Sequence, residues 1–200
     1  MRRTPCAAPP VHSMSAMEVI ESIDPANGAV IGTVAATEPH AIDDLVQRAR
    51  KAHRSSGWAR QRPDRKATVL HEVARRIAAE KDRLAMLQMR DSGKPLAECR
   101  AMVDAASGAF RYYAGVIETH ETAVTPPRGE HLSMTVLEPF GVVAAITPWN
   151  SPIMNEAQKV APALAAGNAV VLKPSEDTPL LAPELQRICH EAGLPEGLLQ

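Results

Sequence analysis

Gly141-Val-Val-Ala-Ala-Ile-Thr147 and Ala169-Val-Val-Leu-Lys173 are the two runs that decide the fold. Each is continuously apolar, the pattern of a strand covered on both faces rather than one alternating between core and solvent. Between them, Ser151 is placed to cap a helix with Pro152 at its first position. Ile153, Ala157, Val160, Ala161 and Leu164 recur at helical spacing and supply its buried face. Pro162 removes one helical hydrogen bond and predicts a kink, and Gly167-Asn168 ends the segment. Thr178-Pro179 opens a further helix that closes at Gly193 with Pro195 beyond. Pro183 moves its proper start to residue 183. Strand, helix, strand, helix reads as a parallel βαβ unit with a right-handed crossover, the opening of a doubly wound α/β sheet. Two strands do not complete such a sheet, so the chain is expected to stop where the next strand begins.

Upstream the pattern is different. Glu18 to Ile23 and Ala29 to Val34 flank Asp24-Pro-Ala-Asn-Gly28, and Asn-Gly between β-branched runs predicts a hairpin over 18–36. A helix follows with Thr37 as its cap, Pro39 in its first turn, and Ile42, Leu45, Val46 and Ala49 along one stripe. Gly57-Trp58 breaks it. A second helix runs from Pro63 through Val69, Val73, Ile77, Leu84 and Leu87 to Asp91-Ser92-Gly93, and a third starts at about Pro95. Pro126-Pro127 marks a crossing, and Ser133 to Glu138 reads as a strand. The Pro-rich start is read as a loose tail over 1–16, with Met14 and Met17 as alternative start sites.

Composition narrows the function classes. With 200 residues, 45% hydrophobic and 22% charged, the chain is a globular protein and not a disordered one. Lys+Arg 22 against Asp+Glu 23 leaves no basic field for nucleic acid, and no apolar run is long enough to span a bilayer. Cys6, Cys99 and Cys189 show neither CxxC nor zinc spacing. No metal site is assigned, and a reducing, cytoplasmic setting is the expectation.

In open α/β sheets ligands bind beyond the carboxyl ends of the strands. Two segments lie there, Thr147-Pro148-Trp149-Asn150 and Lys173-Pro174-Ser175-Glu176. Asn150 offers an amide donor able to stabilise an oxyanion, or it is simply a turn-former. Lys173 and Glu176 offer a donor and an acceptor to ribose hydroxyls, or they are a solvated ion pair.

Pro139-Phe-Gly-Val-Val-Ala-Ala-Ile-Thr-Pro-Trp-Asn150, Lys159-Val-Ala-Pro-Ala-Leu-Ala-Ala-Gly-Asn168 and Val171-Leu-Lys-Pro-Ser-Glu176 resemble the aldehyde dehydrogenase superfamily, in its NAD(P)-dependent hydrolytic branch. Asp24 to Gly28 and Asp91-Ser-Gly-Lys-Pro95 resemble its hairpin turn and an interhelical loop. The resemblance covers most of the chain and implies the family's N-terminal portion only. The implied fold is α/β: an N-terminal hairpin and helices over 17–120, a loop and strand of an oligomerisation hairpin over 121–140, and the first βαβα half of a Rossmann-like cofactor domain over 141–200. No GxGxxG is present, and the family binds its dinucleotide without one.

The resemblance also implies roles. Asn150 matches the oxyanion-hole asparagine, and Lys159 a helix lysine credited with charge relay. Ile146, Thr147, Pro148 and Trp149 match the lining of the cofactor groove, as does Asn150. Lys173, Ser175 and Glu176 match the residues around the adenine ribose, where an acidic side chain favours NAD over NADP. In the family a cysteine adds to the aldehyde, hydride leaves to NAD, and a glutamate-activated water hydrolyses the thioester to a carboxylate. That cysteine and glutamate lie downstream of the motifs in this chain, so the 200 residues alone are expected to be inactive. Homodimers or homotetramers are expected of the full-length protein. Two other readings are a truncated, non-catalytic dinucleotide-binding or interaction module and a coenzyme A-acylating semialdehyde dehydrogenase. Trp149 leans away from the second.

Overall fold

The computed structural model describes residues 18–126 and 129–200. The tail expected over 1–16, with Cys6, and part of the Pro126-Pro127 crossing lie outside the described residues. Strands β1 (Val19–Ile23) and β2 (Val30–Ala35) pair antiparallel, as the Asn-Gly turn predicts. Side chains build that turn: Asp24 Oδ1 accepts the Ala26 N–H at 2.9 Å, and Asn27 Oδ1 accepts the Ala29 N–H at 2.8 Å. Gly28 takes a φ of 75°, which a side chain would resist.

Helix α1 (Ile42–Ser55) begins later than the Thr37 reading predicts. A single 3-10 turn, Pro39–Ala41, leads into it and no side chain caps either segment. The fixed φ of Pro39 starts the turn without a cap. The helix read as one piece from Pro63 to Asp91 is two, α2 (Pro63–Ala79) and α3 (Lys81–Ser92), parted at Glu80 with φ −97° and ψ 15°. The break lets both pieces pack on α4 (Leu96–Thr119), whose Val103, Ala106 and Phe110 are fully buried in the core. Leu70 and Ile77 of α2 and Leu84 of α3 join them there.

Strand β3 (Val142–Ile146), helix α5 (Pro152–Ala165), strand β4 (Ala169–Lys173) and helix α6 (Leu181–Glu191) form the predicted alternation. β3 and β4 pair in parallel, from Val142 opposite Ala169 to Ile146 opposite Lys173. α1 and α5 both pack on this pair, and α5 also lies against α4 and α6. Pro162 stays inside α5. Pro183 is tolerated in the first turn of α6, where a missing N–H has no intrahelical acceptor. That helix therefore starts at Leu181 rather than at residue 183.

The next strand begins where the sequence reading expects it, at residues 198–200. The Val170 N–H donates to the Leu198 carbonyl at 2.7 Å, and the Gln200 N–H donates back to the Val170 carbonyl at 2.9 Å. Leu199 bridges Val170 in parallel. A third parallel strand thus begins on the free edge of β4, drawn in because Leu198 and Leu199 are buried.

Two buried polar contacts fix the crossover. The Trp58 indole N–H donates to the Leu164 carbonyl at 2.9 Å, which ties the loop after α1 to α5. Asn168 donates to the Ala163 carbonyl at 3.1 Å and accepts the Gly141 N–H at 2.9 Å, joining the end of α5 to the entry of β3. Ser133 to Glu138 does not form a regular strand. A single bridge pairs Val124 with Met134, flanked by hydrogen bonds between Thr125 and Ser133 and between Thr135 and Ala123. A two-stranded ribbon with nothing beneath it is marginal on its own. No helix among the described residues is long and apolar enough to cross a membrane.

Candidate functional site

The register of β3 on β4 builds the site. Ile146 and Lys173 are direct partners at the carboxyl ends of their strands. The Thr147 N–H continues the ladder to the Lys173 carbonyl at 3.1 Å. The two following loops therefore leave the sheet side by side, about one strand spacing apart, roughly 5 Å. This brings together Thr147 to Asn150 and Lys173 to Glu176, as the sequence predicts. The loops also meet further out, where the Thr178 hydroxyl comes within 3.5 Å of the Trp149 carbonyl.

Thr147 is buried and serves through its backbone, whereas Ile146 (73% exposed) and Trp149 (57% exposed) stand open at the lip with exposed Pro148. The Lys173 ammonium donates to Glu176 Oε1 at 2.7 Å and to the Pro174 carbonyl at 3.3 Å. The hydrogen bond from Lys173 is the main cause that holds the Glu176 carboxyl below its ordinary range, so it is an ionised acceptor at neutral pH. Ser175 Oγ accepts the Asp177 N–H at 3.3 Å and stiffens the loop between them.

Asn150 is exposed at the start of α5. Its Oδ1 accepts from Asn155 Nδ2 at 3.1 Å, and its carbonyl accepts from the Ser151 hydroxyl at 2.8 Å. Ser151 occupies the N-cap position as predicted, yet its hydroxyl serves Asn150 and not the helix. The Asn150 amide nitrogen donates to no group among the described residues, which leaves both its hydrogens for a ligand. Lys159 lies well along α5, exposed and without an ion pair among the described residues, apart from this cluster.

Neither described cysteine is poised as a nucleophile. Cys189 is fully buried in α6 and its thiol is driven far up by that burial. Cys99 is buried at the start of α4 and is raised for the same reason. Both stay protonated and inert. No cluster of metal-ligating side chains occurs among the described residues.

The sequence reading passed over two residues of α5. Asn155 lies one turn after Asn150, a spacing that brings two short amides together at a helix start. Glu156 falls in the row of Ile153 and Val160, so its place on the buried face was visible in the periodicity. It is 0% exposed, with both carboxylate oxygens buried and unpartnered among the described residues. Burial first, and the Asp91 carboxyl second, push it up to about 8. Asp91 is itself raised by burial, against the opposing hydrogen bonds from the Ser22 hydroxyl and the Leu180 N–H.

With this geometry in place, likeness to known proteins is informative. The sequence model of the aldehyde dehydrogenase family matches residues 11–200. The chain is 38% identical over 183 residues to the NADP/NAD-dependent aldehyde dehydrogenase PuuC of Escherichia coli (strain K12), covering 91% of this chain and 37% of that protein. It is 40% identical over 187 residues to the peroxisomal aminoaldehyde dehydrogenase 2 of Malus domestica, covering 90% of this chain and 37% of the relative. The chain thus spans 37% of the length of these curated relatives. Among solved structures, the aldehyde dehydrogenase KauB from Pseudomonas aeruginosa superposes with a TM-score of 0.88 at 33% identity, over 91% of this chain and 37% of that one. A variant of the P. syringae AldA indole-3-acetaldehyde dehydrogenase, in complex with NAD+ and IAA, gives the same TM-score, identity and coverage.

Proposed function

The chain belongs to the aldehyde dehydrogenase family, and from that premise we propose that it forms the cofactor-side portion of an enzyme that oxidises an aldehyde to a carboxylate with NAD. The observation that carries this reading is the Ile146–Lys173 register, which sets an unengaged amide donor and an ionised ribose acceptor on adjoining loops. The residues present suit a dinucleotide. Trp149 and Ile146 offer apolar surface, Lys173 a donor and Glu176 an anionic acceptor for vicinal hydroxyls. NAD, when bound, supplies the hydride acceptor. Glu176 holds the ribose and repels a 2′-phosphate, Ser175 stiffens its loop, and Thr147 and Pro148 line the crevice. Asn150 presents its Nδ2 hydrogens to the aldehyde oxygen as negative charge gathers there. Lys159 stands apart from these groups and is retained only as a distant charge.

The nucleophile and the general base are proposed to lie outside residues 1–200, because the family resemblance puts both well downstream of Pro148-Trp-Asn150; the buried, raised thiols of Cys99 and Cys189 agree with that reading. These 200 residues alone are therefore proposed to lack dehydrogenase activity. The exposed apolar side chains of Leu132, Met134, Val136 and Leu137 support a subunit contact in a homodimer or homotetramer. The buried free thiols fit a cytoplasmic protein.

The test is cofactor choice in the full-length protein. Glu176→Gln keeps the shape and removes the charge. The preference for NAD over NADP, read as the ratio of kcat/KM values, is expected to fall by about tenfold or more, the worth of one charged hydrogen bond. An unchanged ratio would remove Glu176 from the ribose site.

A further inference from the structure

Asn155 makes one side-chain hydrogen bond among the described residues, and that bond is with the amide whose chemistry matters. Its Nδ2–H donates to Asn150 Oδ1 at 3.1 Å. We infer that Asn155 is a positioning residue that decides which end of the Asn150 amide faces the reacting oxygen. The inference rests on Asn150 being the oxyanion donor, as proposed above.

An amide side chain has two ends of nearly equal size, and half a turn about its last bond exchanges donor for acceptor. Turned one way, Asn150 offers two N–H groups to the developing oxyanion. Turned the other way, it offers a carbonyl oxygen that repels it. Asn150 is exposed, and no other side chain among the described residues hydrogen-bonds to its amide. The backbone is fixed separately, by the Ser151 hydroxyl on the Asn150 carbonyl at 2.8 Å. Asn155 is rigidly placed to do the rest. It sits half-buried in the first turn and a half of α5, with its own N–H donated to the Ser151 carbonyl at 2.9 Å. A donor anchored in a helix thus claims Oδ1 and leaves Nδ2 turned outward. The contact spans five residues at a loop-to-helix junction, so it forms as soon as α5 does and needs no other part of the protein.

The test uses the full-length enzyme and an isosteric swap. Asn155→Asp keeps the shape but only accepts, so at neutral pH its carboxylate takes a hydrogen from Asn150 Nδ2 and turns the amide around. An acidic side chain near the start of α5 also suits the helix dipole, so folding is preserved. At pH 7.5 kcat is expected to drop about 30- to 100-fold, approaching Asn150→Ala, whose loss is about 100-fold or more. The KM for NAD should stay within about twofold. Asn155→Ala frees the torsion without reversing it, and a smaller drop of about two- to fivefold is expected. A protonated carboxyl donates again, so the ratio of kcat for Asn155→Asp to that of the parent should climb as pH falls, by up to about tenfold per unit. A merely structural role for Asn155 gives no such recovery. If Asn150→Ala lowers kcat about 100-fold while Asn155→Asp stays within about twofold, Asn155 does not orient the amide and the inference is overturned. If Asn150→Ala itself leaves kcat unchanged, the oxyanion reading fails and takes this inference with it.

Discussion

Replacing Asn150 with Ala in the full-length protein is expected to lower kcat by about 100- to 1000-fold, the usual cost of deleting one oxyanion-hole donor. Asn150 stands exposed at the start of α5 with its oxygen engaged by Asn155 and its nitrogen donating to no group among the described residues. A donor held in advance needs no reorganisation as charge develops, so its loss appears in kcat more than in KM. The fold should not suffer, because the residue is exposed and its carbonyl, which Ala keeps, makes the Ser151 contact. Steady-state rates at saturating NAD, with circular dichroism as the folding control, check this. A kcat within about threefold of the parent would show that the amide is a turn-former and nothing more.

The second large effect is on stability and concerns Glu156. Its carboxyl is raised to about 8 by burial and then by Asp91, so the folded state holds a proton that the unfolded chain releases near pH 4.5. The contribution of this group is complete below pH 4.5 and is lost as pH rises towards 8. The slope is about 1.4 kcal/mol per pH unit, on the order of 4 kcal/mol between pH 5 and pH 8. Asp91, raised in the same direction, adds to the same trend. Glu156→Gln has nothing to titrate. It should match the parent near pH 5 and exceed it by several kcal/mol, about 3–4, at pH 8. Urea unfolding of the two proteins at both pH values decides the matter, and parallel pH profiles would contradict it. Glu80 and Glu184, both held below their ordinary range among Arg83 and Arg187, work the other way. Their stabilisation is present above pH 4.5 and is lost as pH falls below it.

What was legible in the sequence follows from what a pattern can encode. The parallel βαβ unit was legible because its two strands are continuous apolar runs and the helix between them keeps its period, although the strands are not covered on both faces as that pattern predicts: Ala145 of β3 and Ala169 and Val170 of β4 are buried, while Ala144 and Ile146 stand exposed. That the loops after the two strands leave the sheet side by side was legible because parallel strands paired in register end together. The split at Glu80 was not, since Ile77 and Leu84 are a heptad apart and preserve the stripe across the break. The start of α1 was misjudged because Thr37 has the chemistry of a cap without the position. The next strand was expected where residues 198–200 lie, but its pairing with β4 was not legible, because three residues are too few for any periodicity. Glu156 was skipped in favour of its apolar neighbours, although its spacing placed it among them. Asn168 was read as a helix stop, while its reach to Gly141 depends on how the crossover returns.

Light offers another way into this molecule, through its two tryptophans. Trp58 is sealed against the Leu164 carbonyl, and Trp149 stands open at the crevice. The buried indole emits towards the blue and is shielded from aqueous quenchers. The open one emits towards the red and is exposed to them. One spectrum therefore holds two separable signals, the first reporting whether the loop after α1 remains tied to α5 and the second reporting what approaches the ends of β3 and β4.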